Sequence, residues 1–89
     1  MIVNFYRTAL CPRCNKAEQI LQRLMPEYPQ LELGTIEVAT RPVETFRAGI
    51  RMIPALKCGD EILSGVLLKE EQIREFLNRW SAKQQTSGA

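Results

Sequence analysis

Histidine is missing from this chain, and that absence excludes more than any one motif establishes. Without imidazole there is no Ser-His-Asp or Cys-His hydrolase site, and no zinc site that needs a nitrogen ligand. Aspartate occurs once, at Asp60. No apolar run approaches the roughly 20 residues of a membrane span. The opening segment from Met1 to Tyr6 lacks the basic start and long apolar core of a signal peptide. A cytoplasmic protein without membrane attachment is therefore expected. The net charge is only +2, which argues against nucleic acid or a membrane surface as a partner. Three cysteines, an odd number, do not suit a disulfide-stapled secreted scaffold. Chemistry must then rest on thiols, carboxylates, Lys and Arg.

What is present fits one domain. At 89 residues the chain buries well over half of its unfolded surface, enough for one core without staples. The domain is expected over residues 1–80, with 81–89 a polar, frayed and disordered tail. Ile2–Tyr6 reads as a strand buried on both faces. Cys14, Ala17, Ile20, Leu21 and Leu24 then recur at helical spacing until Pro26 and Pro29 end the pattern. Leu31–Ala39 reads as a second strand, with a slip in its alternation at Gly34-Thr35 that suggests a bulge or a loop-to-strand transition. Pro42 and Gly49 bracket a short helix. Pro54–Cys58 and Glu61–Ser64 flank the hairpin signal Gly59-Asp60. Ile73, Phe76, Leu77 and Trp80 share one face of a last helix over Lys69–Trp80. The order β-α-β-α-β-β-α predicts an α/β fold, a mixed four-stranded sheet flanked by helices, with a right-handed crossover between its first two strands.

Cys11-Pro12-Arg13-Cys14 carries the chemistry. Proline favours the first position of a helix, which makes Cys11 the N-cap. The amides of Arg13 and Cys14 and the positive helix end then favour a Cys11 thiolate, and Arg13 adds a cation. Cys11 should titrate below the value of about 8.5 of a free cysteine. Two helical residues at this spacing hold their Cβ atoms about 5–6 Å apart, too far for a disulfide at about 3.8 Å. A non-helical Cys11 shortens that gap. Cys14 lies one turn inward on the apolar face, so Cys11 attacks and Cys14 resolves. Metal binding is the main rival reading, but a structural zinc site wants four ligands and only Cys58 remains. No metal is expected. A third reading is an interaction module whose pair forms only a structural disulfide.

At these residues the chain resembles the thioredoxin/glutaredoxin superfamily over nearly its whole length. Cys11-Pro12-Arg13-Cys14 after Phe5-Tyr6 is similar to the glutaredoxin start, usually Cys-Pro-Tyr-Cys. Gly49-Ile50-Arg51-Met52-Ile53-Pro54 is similar to the thioredoxin segment Gly-Ile-Arg-Gly-Ile-Pro. The resemblance implies a thioredoxin-like fold and a cis Pro54 beside the cysteines. It also implies that the backbone of Ile53 pairs with the substrate chain. Ser64-Gly65 stands where glutaredoxins carry Gly-Gly, and no aspartate follows to hold glutathione's amino group. Arg13 replaces their tyrosine, and Leu10 the thioredoxin tryptophan.

The reading is a thiol–disulfide oxidoreductase acting on protein disulfides through Cys11 and Cys14, without a bound cofactor. Pro12, Arg13 and Pro54 support the site; Ile53, Arg7, Ser64 and Gly65 are the substrate-binding candidates. Electrons would come from a thioredoxin reductase-like flavoprotein or from glutathione. Cys58 shares strand parity with Leu56 and reads as core. Arg7, Arg41, Arg47 and Arg51 could form an anion-holding rim, although a solvated face is the commoner use of such charges.

Overall fold

The most apolar stretch of the chain becomes the centre of a sheet. In the computed structural model, which describes residues 2–65 and 67–87, β1 (Ile2–Arg7) lies between two neighbours. It pairs in parallel with β2 (Glu32–Glu37) and antiparallel with β3 (Ala55–Cys58). β4 (Glu61–Ser64) completes the order β2-β1-β3-β4. The helices are α1 (Pro12–Leu24), α2 (Pro42–Arg47) and α3 (Glu70–Ser87). This is the mixed four-stranded α/β arrangement that the element order predicts.

Two apolar clusters sandwich the sheet. Val3, Phe5 and Leu56 pack with Ala17, Leu21 and Leu24 of α1 and with Ile73, Phe76 and Leu77 of α3. On the other face Tyr6, Ile36 and Ala55 pack with Ile50, Val38 and Ala48 around α2. That division explains the slip in β2. Leu31 and Leu33 belong to the first cluster, Ile36 and Val38 to the second. The β1–β2 register runs without interruption from Ile2↔Glu32 to Arg7↔Glu37. No bulge is present; the strand serves one core with its first half and the other with its second.

A second expectation is corrected at the C-terminus. The tail expected from Ser81 onward instead continues α3 as far as Ser87, and only 88–89 of it lie outside the described residues. Ser81 is buried and accepts a hydrogen bond from the Gln30 amide, while the Tyr28 hydroxyl donates to Asn78 Oδ1 at 2.5 Å. These contacts hold α3 against the segment after α1. Ala, Lys and Gln follow, all good helix formers, and no Gly or Pro intervenes before Gly88. The start of α3 is also capped from within. Gln72 reaches back to accept the Lys69 amide at 3.0 Å, the second half of a capping box.

The β3–β4 turn is tied to α3. Gly59 adopts φ +58°, and a Cβ there would lie 2.7 Å from the Trp80 ring, whose Nε1 donates to Glu61 at 2.9 Å. Gly59→Ala should therefore cost about 2 kcal/mol, from left-handed backbone and collision together. Urea unfolding checks this, and an unchanged midpoint would show that the turn relaxes freely.

Candidate active site

Strand directions bring the candidate residues to one end of the sheet. β1 and β2 finish there, and antiparallel β3 begins there. Tyr6↔Ala55 is the last β1–β3 pair, so the segment leaving β1 at Arg7 and the one entering β3 through Ile53 and Pro54 lie at the same end of the sheet. Ala55↔Ser64 places Ser64 and Gly65 on the same edge, beyond β3. Val38 joins from β2, its amide donating to the Arg7 carbonyl at 2.8 Å. The Ile53–Pro54 bond is cis. A loop of Thr8, Ala9 and Leu10 then leads into α1, closed by the Cys11 amide donating to the Thr8 carbonyl at 3.2 Å.

Cys11 is the N-cap, with extended backbone at φ −103° and ψ 108°, and Pro12 opens the helix. The Cys14 amide donates to Cys11 Sγ at 3.3 Å. Sulfur takes the place that a Ser or Asp oxygen holds in ordinary caps. Cys11 keeps 8% of its surface exposed, and Cys14 none. Leu10, Pro12 and Arg13 around them are exposed, so the turn faces solvent. Both cysteines are in the dithiol form.

The two thiols are driven apart. Burial pushes Cys11 up, but hydrogen bonds from Cys14 and Arg13 outweigh it and hold the thiol below its ordinary value. Cys14 is pushed up to about 11, first by burial and then by its contact and charge interaction with Cys11; the Thr8 backbone and the Arg7 charge oppose the rise. One thiol therefore favours its thiolate while its neighbour is kept protonated.

Arg7 turns inward. Its Nη2 donates to Asn15 Oδ1 at 2.8 Å, its Nε lies 3.5 Å from Glu18, and its Nη1 lies 3.9 Å from Glu37. The buried Nε itself finds no hydrogen bond of proper geometry. The guanidinium thus lies along the first turns of α1, within reach of the charge on Cys14. Sequence reasoning missed Glu18 and Glu37. Glu18 was findable, four residues from Cys14 and so on its helix face. Glu37 was not, because it meets Arg7 only through the strand register. Cys58 is buried in the main core as its parity predicts. Among the described residues no three Cys, Asp or Glu side chains converge on a metal site, and no helix is long and apolar enough to cross a membrane.

A sequence model described as a thioredoxin domain matches residues 2–78. The chain belongs to the thioredoxin domain family. Solved thioredoxins share its fold. Oxidised thioredoxin from Plasmodium falciparum superposes with a TM-score of 0.77 at 12% identity, over 90% of this chain and 80% of that one. A mutant thioredoxin from Halobacterium salinarum NRC-1 gives 0.76 at 19% identity, over 90% and 74%. Fasciola hepatica thioredoxin gives 0.76 at 20%, over 88% and 78%. A comparison with curated proteins finds no match. At these identities the structures establish architecture, and the thioredoxin domain match establishes family.

The displaced thiols make a direct prediction. Iodoacetamide at neutral pH should label Cys11 and spare Cys14 and Cys58, with the Cys11 rate rising at lower pH than for an ordinary thiol. Mass spectrometry of timed samples reads this, and equal labelling of Cys11 and Cys14 would contradict the geometry.

Proposed function

We propose that this thioredoxin-domain protein is a dithiol oxidoreductase that reduces protein disulfides. The observation that carries the reading is the opposed displacement of Cys11 and Cys14 within one helical turn. The Cys11 thiolate attacks one sulfur of a substrate disulfide; a Cys11–substrate bond forms as the substrate S–S bond breaks, and the first substrate sulfur leaves and takes up a proton. Cys14 then gives up its proton and attacks Cys11 Sγ. The Cys11–Cys14 bond forms, the mixed disulfide breaks, and the second substrate thiol departs. Two electrons pass from the protein dithiol to the substrate, so no bound cofactor is required. An external thiol system, a thioredoxin reductase-like flavoprotein or glutathione, restores the dithiol.

Each neighbouring residue has a part in this scheme. Pro12 starts the helix at the position that leaves Cys11 as cap. Arg13 supplies an amide and a guanidinium to the Cys11 thiolate. Ile53, next to Pro54, offers backbone beside the loop to Cys11, where an extended substrate segment can pair. Ser64 and Gly65 border the same edge farther out. Arg7 acts from behind as a positioning residue: its charge lowers the cost of the Cys14 thiolate during resolution. Cytoplasm is the compartment that suits a dithiol of this kind.

Insulin reduction, coupled to thioredoxin reductase or to glutathione, tests the scheme and identifies the reductant. Cys11→Ser should abolish turnover, whereas Cys14→Ser should accumulate a mixed disulfide on Cys11, visible as added mass. Turnover by Cys11→Ser at the wild-type rate would remove the reading. Resolution can be isolated with a chromogenic aromatic disulfide, which releases one thiolate when Cys11 attacks and a second when Cys14 closes. Arg7→Gln should slow the second release about tenfold and move its pH midpoint upward, because removing a cation disfavours the Cys14 anion further. Arg7→Lys should recover most of the rate; an unchanged second phase in Arg7→Gln would remove Arg7 from the mechanism.

A further inference from the structure

Three arginines have no carboxylate partner among the described residues. Arg23, Arg74 and Arg79 pair with Glu70, Glu27 and Glu61 along α1 and α3, Arg41 pairs with Glu44, and Arg7 turns inward to Glu18 and Glu37. Among those same described residues, no carboxylate lies within ion-pair distance of Arg13, Arg47 or Arg51. Arg13 sits between the two cysteines, Arg51 two residues before Ile53, and Arg47 at the end of α2. All three are exposed.

Arg51 is also held in place. Its guanidinium stacks 4.4 Å over the Phe46 ring, and its Nη1 donates to the Phe46 carbonyl at 3.2 Å. A shallow groove of about 210 Å³ runs beside it, lined by Val38, Thr45, Ile50, Arg51, Met52 and Ile53. Val38 links this groove to Arg7, which leads into the loop before Cys11, where Leu10 is 93% exposed. Apolar contact and fixed positive charge thus share one groove, whose Val38 is bonded to Arg7 on the strand that leads to Cys11. A guanidinium already ordered by stacking loses little freedom when it meets a carboxylate.

We propose that this surface selects substrate segments in which acidic residues flank the disulfide cysteine, the chain lying along the groove beside Ile53 with its carboxylates on Arg51, Arg47 and Arg13. The inference rests on the oxidoreductase reading and specifies its substrate class. The chemistry is the exchange already described, in which both electrons come from the Cys11–Cys14 dithiol. The arginines add affinity and steering, so the preference follows ionic strength.

Single-turnover reduction of three synthetic disulfide peptides tests it, with Asp and Glu, Ser and Gln, or Lys and Arg flanking the same cysteines. Hydroxyethyl disulfide, small and uncharged, serves as the reference. The acidic peptide should react about tenfold faster than the basic one at low salt, and the two should converge near ~1 M salt. Arg47→Glu with Arg51→Glu should reverse the order of the charged peptides, a ratio measured within one protein and independent of its overall rate. Equal rates for acidic and basic peptides at low salt, or a ratio unmoved by charge reversal, would overturn the substrate class while prompt reduction of hydroxyethyl disulfide left the oxidoreductase reading standing. Failure to reduce hydroxyethyl disulfide faster than a free thiol does would overturn both.

Discussion

One hydrogen bond organises the site: the amide of Cys14 donated to the sulfur of Cys11. A helix leaves its first amides without partners, and a cap must satisfy them. Here the cap atom is itself the sulfur that the proposed scheme uses as nucleophile. The donation stabilises negative charge on Cys11, and the same closeness penalises a second negative charge on Cys14. In the proposed scheme this one contact separates attack from resolution, and it exists because Pro12 begins the helix one residue after Cys11. The helix is anchored in turn by Ala17, Leu21 and Leu24 in the main core. Movement of α1 on the sheet would shift the cap, the thiolate and the distance between the sulfurs together.

Topology supplies the rest of the surroundings. Loops at the carboxyl ends of parallel strands are where α/β sheets gather ligand-binding groups. β1 and β2 finish at this edge, and because β3 runs the other way, the segment before it arrives at the same edge. That geometry sets Ile53 beside the loop to Cys11, although a helix, a strand and a second helix lie between them in the chain. It also brings Val38 alongside Arg7. The site is assembled from separate segments by pairing register alone.

The element order and the cysteine turn were legible in the sequence because each depends on local patterns. Pro12 and Pro42 start helices, Gly59 marks the hairpin, and the apolar spacing of α1 and α3 locates the main core. Two features were misread where tertiary contacts decide. The parity change in β2 resembles a bulge until two cores, one on each face, are known to exist. Residues from Ser81 onward look like a tail until Ser81 is seen packed and bonded to Gln30. The position of Arg7 on the strand that leads to Cys11 could be read from the sequence. Its inward orientation could not, because it depends on Glu37, which reaches Arg7 only through the parallel pairing of β1 with β2.

The missing histidine gives the charge behind Cys14 a particular character. No side chain type with an ordinary pKa near neutrality is available to this chain. The cation that acts on Cys14 is a guanidinium, which does not lose its proton in proteins. A partly buried arginine is helped by counter-charge, because desolvation without it is costly. Glu18 and Glu37 supply it at 3.5 and 3.9 Å, near enough to balance the charge without closing a hydrogen bond on Nε. In the proposed scheme, the response to pH near neutrality then belongs to Cys11, while the positive charge behind its partner stays constant.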